Sequence, residues 1–295
     1  MVRSSAVSVA VNIDGILHGR DDARVSVFDH GFLFGEGVYE VVRTYEQRPF
    51  LYPEHMRRLH ASAARIALTS PITDDEVLGR IRGTIRAAAL DGEAYVRILL
   101  TRGVGEIVYD PAACPQPTVV IIVKPHDDLP ATALTDGVRL ALASVVRNHP
   151  GSVDPAIKSN NLLNNALAMQ QAYREGAFEA LMKNHVGELC ECAQSNFFVV
   201  RDGVLQTPPA GAGLLVGITR QFVLELAARE GMPTEECVLH EPDLCSVQEA
   251  FITSTTREIV PVVQVGGYAI GNGAPGPVTR RLIDAFTAAV PSHLS

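Results

Sequence analysis

Length, composition and charge place this sequence among globular proteins and exclude several classes of function. The chain has 295 residues, of which 47% are hydrophobic and 20% are charged, so wholesale disorder is excluded. Its formal net charge of −8 argues against a nucleic-acid partner, because phosphate binding needs clustered Lys and Arg. No apolar run is long enough to span a bilayer, and residues 1–5 lack the apolar region of a secretory signal. We therefore expect a cytoplasmic protein with no membrane partner.

The cysteines and histidines predict neither a disulfide framework nor a metal site. The five cysteines are an odd number, and Cys190 and Cys192 have C-x-C spacing with no second cluster nearby. The nine histidines show no H-x-x-x-H or H-E-x-x-H pattern. Free thiols in a reducing compartment, without a bound metal, are the expected state.

The N-terminal part of the chain combines short β-strand patterns with two helical patterns. Helical spacing of Met56, Leu59 and Ala63 follows Pro53, and a capping-box pair precedes the second helix. The predicted elements are a hairpin over residues 6–17 turning at Asp14-Gly15, strands over 38–44 and 48–52, a helix from Pro53, a helix opened by Thr73 and Glu76 and ended by Asp91-Gly92, and strands over 95–101 and 117–123.

The C-terminal part follows a polar, proline-containing stretch, residues 126–137, which we interpret as an interdomain linker. The elements predicted beyond it are a strand over 138–146, a helix over about 161–175, a hairpin around Asp202-Gly203, a helix over about 219–230, a strand over 250–254 and a helix over 277–290. Mixed strands and helices in both halves predict an α+β protein with a small N-terminal domain, residues 1–125, and a larger domain, residues 138–295.

Lys158 and Glu191 are charged residues in apolar surroundings. Lys158 lies between a proline-restricted turn and an apolar helix start, where desolvation can lower the pKa of an amine and make it nucleophilic. A solvated loop lysine is the alternative. Glu191 stands between two cysteines, just before the apolar stretch that begins at Phe197. A carboxylate buried there must be paired or functional, and a surface-facing strand position is the alternative.

Two further segments have the character of anion sites. The glycine-rich run of residues 211–220 leads into an amphipathic helix, whose free amides attract anions; Gly217 permits close approach and Thr219 supplies a hydroxyl. The hydroxyl-rich run of residues 253–256 follows an apolar strand and could bind a phosphate. An ordinary capped loop and plain strand residues are the alternatives. An amine, a carboxylate and two anion sites together match the requirements of pyridoxal 5′-phosphate (PLP).

The sequence resembles the class IV, fold-type IV PLP-dependent aminotransferases, the family of branched-chain and D-amino-acid aminotransferases. The resemblance covers nearly the whole chain, and implies a larger domain with a β-barrel-like core and a homodimer. The motifs that carry it are Val25 to Gly31, Glu54 to Leu59, Ile157 to Ser159, Gly217 to Arg220, Thr253 to Ile259 and Gly276 to Thr279.

The resemblance also implies roles for individual residues. Lys158 would bond covalently to PLP and act as the catalytic base, and Glu191 would contact the pyridine nitrogen. Arg58 would bind the phosphate; by its sequence alone Arg58 could equally be an exposed helix residue paired with Glu54. The other implied cofactor contacts are Gly217, Ile218, Thr219, Thr255 and Thr256, and the implied substrate contacts are Tyr39, Tyr95, Arg97, Thr256 and Arg257.

The substrate is less well defined than the reaction. Residues 94–97, 101–105 and 110–115 resemble branched-chain enzymes, and the R-x-H carboxylate trap of D-amino-acid enzymes is absent from that loop. Residues 37–43 and 254–256 look more like D-amino-acid enzymes, and Leu162 and Leu163 stand where many branched-chain enzymes carry a tyrosine. We expect an L-branched-chain amino acid with 2-oxoglutarate as acceptor, whose distal carboxylate Arg97 would hold. A D-amino-acid or (R)-amine transaminase, an aminodeoxychorismate lyase and a non-catalytic protein of the same fold are the alternatives.

Overall fold

The computed structural model describes residues 9–295, which divide into two compact units. Unit 1 runs to Asp127 and also includes Ile157–Asn161 and Val290–Ser295; unit 2 consists of Asp128–Ala156 and Leu162–Ala289. The segment that carries Lys158 therefore belongs with the N-terminal part of the chain, which the sequence-based division did not anticipate. Residues 1–5, discussed above as a possible signal, and residues 6–8 of the first predicted hairpin lie outside the described residues.

Unit 1 is an antiparallel sheet with two longer helices packed on one face. Its elements are β1 (Ala10–Ile13), β2 (Ile16–Gly19), α1 (His30–Leu33), β3 (Gly37–Tyr45), β4 (Arg48–Pro49), α2 (Tyr52–Arg65), α3 (Asp74–Ala88), β5 (Ala94–Thr101) and β6 (Thr118–Pro125). The strand order is β2-β1-β6-β5-β3-β4. Met56, Leu59 and Ala63 of α2 are buried in the core beneath the sheet, as their helical spacing predicted.

The local signals of unit 1 explain most of its boundaries. Asp14 and Gly15 both have positive φ, which a two-residue hairpin turn requires, and Thr73 with Glu76 forms the predicted capping box. The predicted strand over residues 48–52 is wrong beyond Pro49. Leu51 adopts a left-handed conformation there and α2 begins at Tyr52, with Pro53 in its first turn.

Unit 2 is built around a closed sheet. Its elements are α4 (Ala131–Thr135), β7 (Val138–Leu142), α5 (Leu163–Arg174), β8 (Glu179–Lys183), β9 (Glu188–Cys192), β10 (Asn196–Arg201), β11 (Val204–Thr207), α6 (Ile218–Arg229), β12 (Thr234–Glu236), β13 (Leu239–His240), β14 (Glu249–Ser254), β15 (Glu258–Val265), β16 (Tyr268–Ala269) and α7 (Pro277–Ala289). The predicted linker, residues 126–137, thus contains α4. The predicted strand over residues 138–146 ends at Leu142, although Ala143 and Arg147 still donate backbone hydrogen bonds to Leu181 and Lys183.

Ring closure gives unit 2 its barrel. The strands follow one another in the order β10-β14-β15-β7-β8-β9, and Glu191 of β9 pairs again with Asn196 of β10. Every strand of this ring has two neighbours, so no edge is left open. The α+β class and the barrel-like core of the larger domain are confirmed. In the described part of the chain, no helix is long and apolar enough to cross a membrane.

Candidate active site

Lys158 is attached to the open edge of β3. Because β4 pairs only with the far end of β3, the backbone near Gly37 is available to another segment. Tyr39 donates its amide to the Lys158 carbonyl at 2.9 Å, and the Lys158 amide donates to the Ser62 hydroxyl at 3.2 Å. A Cβ on Gly37 would lie 2.5 Å from the side-chain nitrogen of Asn160, so a glycine at this position lets the segment around Asn160 pack closely against β3. Lys158 is half-buried rather than a fully solvated loop residue.

The structure brings Lys158 together with predicted substrate residues of unit 1. The Lys158 Nζ lies 4.6 Å from the centroid of the Tyr39 ring, and the Arg97 Cζ lies 4.0 Å from the same centroid. Tyr95 and Arg97 are two positions apart on β5 and share a face of the sheet. The Lys124 Nζ lies 5.3 Å from the centroid of the Tyr95 ring. This face therefore carries amines and guanidinium groups against aromatic rings, an arrangement suited to an anionic substrate.

Arg58 is held by a buried carboxylate that the sequence analysis missed. Its Nε and Nη2 donate to the two Glu40 oxygens at 2.6 and 2.9 Å, and His55 Nδ1 contacts Glu40 Oε2 at 2.7 Å. The alternative pairing with Glu54 is made by the neighbouring Arg57 instead. The signal for Glu40 was present, since Val38, Glu40 and Val42 alternate along β3 and all three are fully buried.

The three groups set one another's protonation. Burial alone would raise the pKa of the Glu40 carboxyl, but the Arg58 guanidinium and His55 together hold it well below its ordinary value of 4.5. Burial lowers the pKa of His55 below 6.5, with Arg58 and Lys158 acting in the same direction and Glu40 opposing them. A neutral His55 that donates to an ionised Glu40 is the state this arrangement favours.

In unit 2, Glu191 is a buried carboxylate with defined partners. It lies on β9 with 5% of its surface exposed, so the surface-facing alternative is wrong. Arg147 Nε donates to Glu191 Oε1 at 2.8 Å, and the Leu215 amide donates to Oε2 at 3.1 Å. Arg147 was also missed, because it comes after the predicted strand and only the fold reveals its neighbour. Its Nη1 donates in turn to Asn164 at 3.1 Å.

The predicted anion site at the start of α6 is a glycine-capped helix N-terminus. The first amides of a helix have no intrahelical acceptor, and Gly217, the N-cap residue of this 12-residue helix, provides no side-chain acceptor for them. A Cβ on Gly217 would lie 2.0 Å from the Asn196 side-chain oxygen, which makes glycine necessary there. Ile218 and Thr219 open the helix, and Thr219 is buried.

The other predicted anion site is the turn between β14 and β15. Thr255, Thr256 and Arg257 form this turn and are half-buried. The Arg257 guanidinium is directed to a carboxylate of its own unit, since its Nη1 lies 2.8 Å from Glu179 Oε2. Within residues 9–295, no group of three or more His, Cys, Asp or Glu side chains is arranged to hold a metal ion.

Comparison with known proteins places this chain in a family. Residues 37–265 match the profile of the amino-transferases of class IV. The chain is 39% identical to a Methanocaldococcus jannaschii protein provisionally assigned as a branched-chain-amino-acid aminotransferase, with 94% of each chain covered. It is 36% identical to a D-alanine aminotransferase of Listeria monocytogenes, again with 94% of each covered. A crystal structure of the Escherichia coli branched-chain aminotransferase matches with a TM-score of 0.91 and 33% identity, covering 98% of this chain and 97% of the other.

The chain belongs to the class IV aminotransferases, as the motifs predicted. Enzymes of this class use PLP, so the predicted cofactor is confirmed as well. The groups described above fit that cofactor chemically. They include a half-buried amine at Lys158, a buried carboxylate at Glu191 held by Arg147, and a helix N-terminus whose Gly217 cap provides no side-chain acceptor.

Proposed function

We propose that this aminotransferase moves the amino group of an L-branched-chain amino acid to 2-oxoglutarate in a two-half, ping-pong reaction. The observation that carries this proposal is the shared position of Lys158 and Arg97 over the Tyr39 ring. A fixed guanidinium beside the reactive amine suits an acceptor with a second carboxylate, which Arg97 would hold. The partly apolar face around it suits a donor with an aliphatic side chain.

The proposal divides the cofactor contacts between identified groups. Arg58 and the amides and hydroxyl of Gly217, Ile218 and Thr219 would bind the phosphate, with Thr255 and Thr256 adding contacts. Glu191 would accept a hydrogen bond from the protonated pyridine nitrogen, because hydrogen bonds from Arg147 and the Leu215 amide orient its carboxylate. When bound, PLP supplies the electron sink for the bond changes at the substrate Cα.

Lys158 would carry the proton in each half-reaction. The Lys158 amine, once released from its bond to the cofactor, would move a proton between the substrate Cα and C4′ of PLP. The backbone hydrogen bonds to Tyr39 and Ser62 fix the start of the lysine side chain, so its amine moves within a limited arc. Substitution of Lys158 by Ala should therefore abolish turnover and the visible absorbance of the lysine-bound cofactor.

Lys183→Ala is the control for that variant, because Lys183 lies in unit 2 and pairs there with Glu241. It should retain activity. Retained turnover in Lys158→Ala would remove the assignment of Lys158.

A D-amino-acid donor is the second candidate, and the 36% identity to a D-alanine aminotransferase favours it. A half-reaction screen separates the two: L-leucine, L-valine, D-alanine and an aromatic (R)-amine are each added to the PLP-loaded enzyme, and loss of the visible band is followed. Fastest loss with L-leucine or L-valine supports the proposal. Fastest loss with D-alanine or the amine would overturn the substrate while leaving the reaction type intact.

We also propose that the enzyme is a homodimer. Two neighbouring segments of unit 1 expose large apolar side chains, and a subunit contact would cover them. The segments are joined through backbone hydrogen bonds from His30 to Gly103 and from Gly105 to Phe28. The exposed residues are Val27, Phe28, Phe32, Ile107, Val108 and Tyr109. Light scattering should give twice the chain mass for the wild type, whereas a monomer at micromolar concentration would contradict the proposal.

A further inference from the structure

Glu179 is the most completely buried acid of unit 2, and neither the cofactor chemistry nor the substrate chemistry uses it. It opens β8 with none of its surface exposed. A buried carboxylate without partners is costly, so its contacts show what it stabilises. The hydrogen bonds and the ion pair of its carboxylate lie on two turns of the barrel.

The first turn joins β9 to β10. Glu179 Oε1 accepts a hydrogen bond from the Gln194 backbone amide, and Oε2 accepts one from the Ser195 hydroxyl at 3.0 Å. This turn lies between Glu191, the proposed partner of the pyridine nitrogen, and Asn196, which packs against Gly217 at the start of α6. Its position therefore affects both groups.

The second turn joins β14 to β15 and contains Thr255 and Thr256. Arg257, the last residue of the turn, places Nη1 2.8 Å from Glu179 Oε2. Its Nε donates to the Ser254 hydroxyl at 3.2 Å, and its Nη2 donates to the Gln194 side-chain oxygen at 3.4 Å. All three guanidinium nitrogens thus have acceptors inside unit 2, and the Phe178 ring lies 5.2 Å from Cζ.

We propose that Glu179 and Arg257 form a buried ionic latch that fixes these two turns, and that both are positioning residues for the PLP site. In this proposal Arg257 positions other groups of the site and does not make the substrate contact that the sequence predicted. Its side chain holds the Thr255-Thr256 turn against the turn that follows Glu191, so the phosphate and ring contacts keep a fixed separation. This inference rests on the proposed cofactor contacts, and it is independent of which amino acid is the donor.

The test measures PLP affinity directly on the apoenzyme by absorbance titration, alongside the absorbance maximum of the bound cofactor. Glu179→Gln and Arg257→Met should each weaken PLP binding about tenfold, the scale of loss when an outer hydrogen-bond partner of a ligand site is removed. The double variant should lose no more than the stronger single variant, because both substitutions release the same contact. Arg257→Lys keeps the charge and should recover part of the affinity.

Lys183→Met is the matched control, since it removes a half-exposed ion pair with Glu241 in the same unit. It should leave PLP affinity and the absorbance maximum unchanged. If the latch variants bound PLP less tightly only because the whole protein was less stable, their apoprotein unfolding midpoints would fall and the absorbance maximum of the bound cofactor would not shift. That result would overturn the latch.

The outcomes separate this inference from the proposed function. Unchanged PLP affinity in Glu179→Gln and Arg257→Met would overturn the latch even if the wild type transaminates L-leucine. A tenfold loss in both, with no L-leucine activity in the wild type, would support the latch and overturn the donor. If Arg257→Met raised KM for 2-oxoglutarate alone, with PLP affinity intact, Arg257 would be a substrate contact and the latch would be wrong.

Discussion

Each unit of the molecule pairs a buried carboxylate with an arginine among its proposed cofactor contacts, but the two pairs, Arg58–Glu40 and Arg147–Glu191, present opposite members for function. In unit 1, Glu40 has no exposed surface and receives two hydrogen bonds from Arg58 and one from His55. The acid there supports the arginine, the proposed phosphate ligand. In unit 2, Arg147 supports the acid, and Glu191 is the proposed ligand of the pyridine nitrogen. The same ion pair can therefore orient either a cation or an anion, depending on which member faces the ligand.

The largest expected effect is on the reaction rate and tests Glu191 of unit 2. Glu191→Gln should lower the rate of the amino-acid half-reaction by about a hundredfold or more, because a neutral amide cannot keep the pyridine nitrogen protonated. Cofactor should remain bound, which the absorbance of the dialysed protein measures. Glu188→Gln is the control, since Glu188 lies on the same strand and its carboxylate accepts a hydrogen bond from the Asn184 side chain. A near-normal rate in Glu191→Gln would contradict the assigned role.

The next largest effect concerns stability and tests the pair of Glu40 and Arg58 in unit 1. Arg58→Met leaves the buried Glu40 charge without its main partner and should lower the free energy of unfolding of the apoprotein by about 3–5 kcal/mol. The adjacent Arg57→Met removes only an exposed pair with Glu54 and should cost less than about 1 kcal/mol. Denaturant unfolding of both variants measures the difference. Equal losses would mean that the Glu40 pair is no stronger than a surface pair.

These two pairs also show how far the sequence could lead. Glu191 was found because an acid between two cysteines before an apolar strand is conspicuous. Glu40 was overlooked although Val38 and Val42 flank it at strand spacing, which places it on the buried face. Arg147 had no local signal, because its partner is 44 residues away and the contact depends on the order β7-β8-β9 in the sheet.

The secondary-structure predictions also succeeded where the signal was local and failed where it was not. Elements with local signals were predicted well: the hairpin turns at Asp202-Gly203 as expected, and the capped helix α3 lies close to its predicted bounds. Strands β8 and β15 were not predicted as separate elements, because they are buried on both faces and lack alternation. The affiliation of residues 157–161 with unit 1 comes from pairing along the open edge of β3, a non-local contact that no local pattern encodes.

The protonation of the unit 1 pair predicts a pH dependence of stability. Glu40 has a pKa below its ordinary value of 4.5 in the folded protein. Its contribution to stability is therefore complete above pH 4.5 and is lost as the pH falls from 4.5 towards the pKa of the folded state. His55 has a pKa below 6.5 when folded, so the unfolded chain binds a proton first as the pH falls through 6.5, and stability declines there too. Both contributions have the same sign.

Glu40→Gln separates the two contributions. The variant should be less stable at neutral pH, but its stability should fall less steeply than that of the wild type below pH 4.5, as measured by denaturant unfolding across this range. Glu54→Gln, in the exposed pair, should follow the wild-type curve. A Glu40→Gln curve as steep as that of the wild type would show that other carboxyls cause the acid sensitivity.

The smallest expected effect concerns the thiols on either side of Glu191. Burial raises the pKa of Cys190 to about 12 and that of Cys192 well above its ordinary value of 9.0, with Glu191 and Glu179 adding to these increases. Since the thiolate is the reactive form, neither should react with a disulfide reagent at neutral pH, whereas the exposed Cys245 should react quickly. Cys245→Ser should remove the fast phase, and denaturant should expose the buried thiols. Fast labelling of Cys190 in the native protein would mean that β9 opens to water, and a Glu191 carboxylate on such a strand could not hold the fixed position that its proposed role requires.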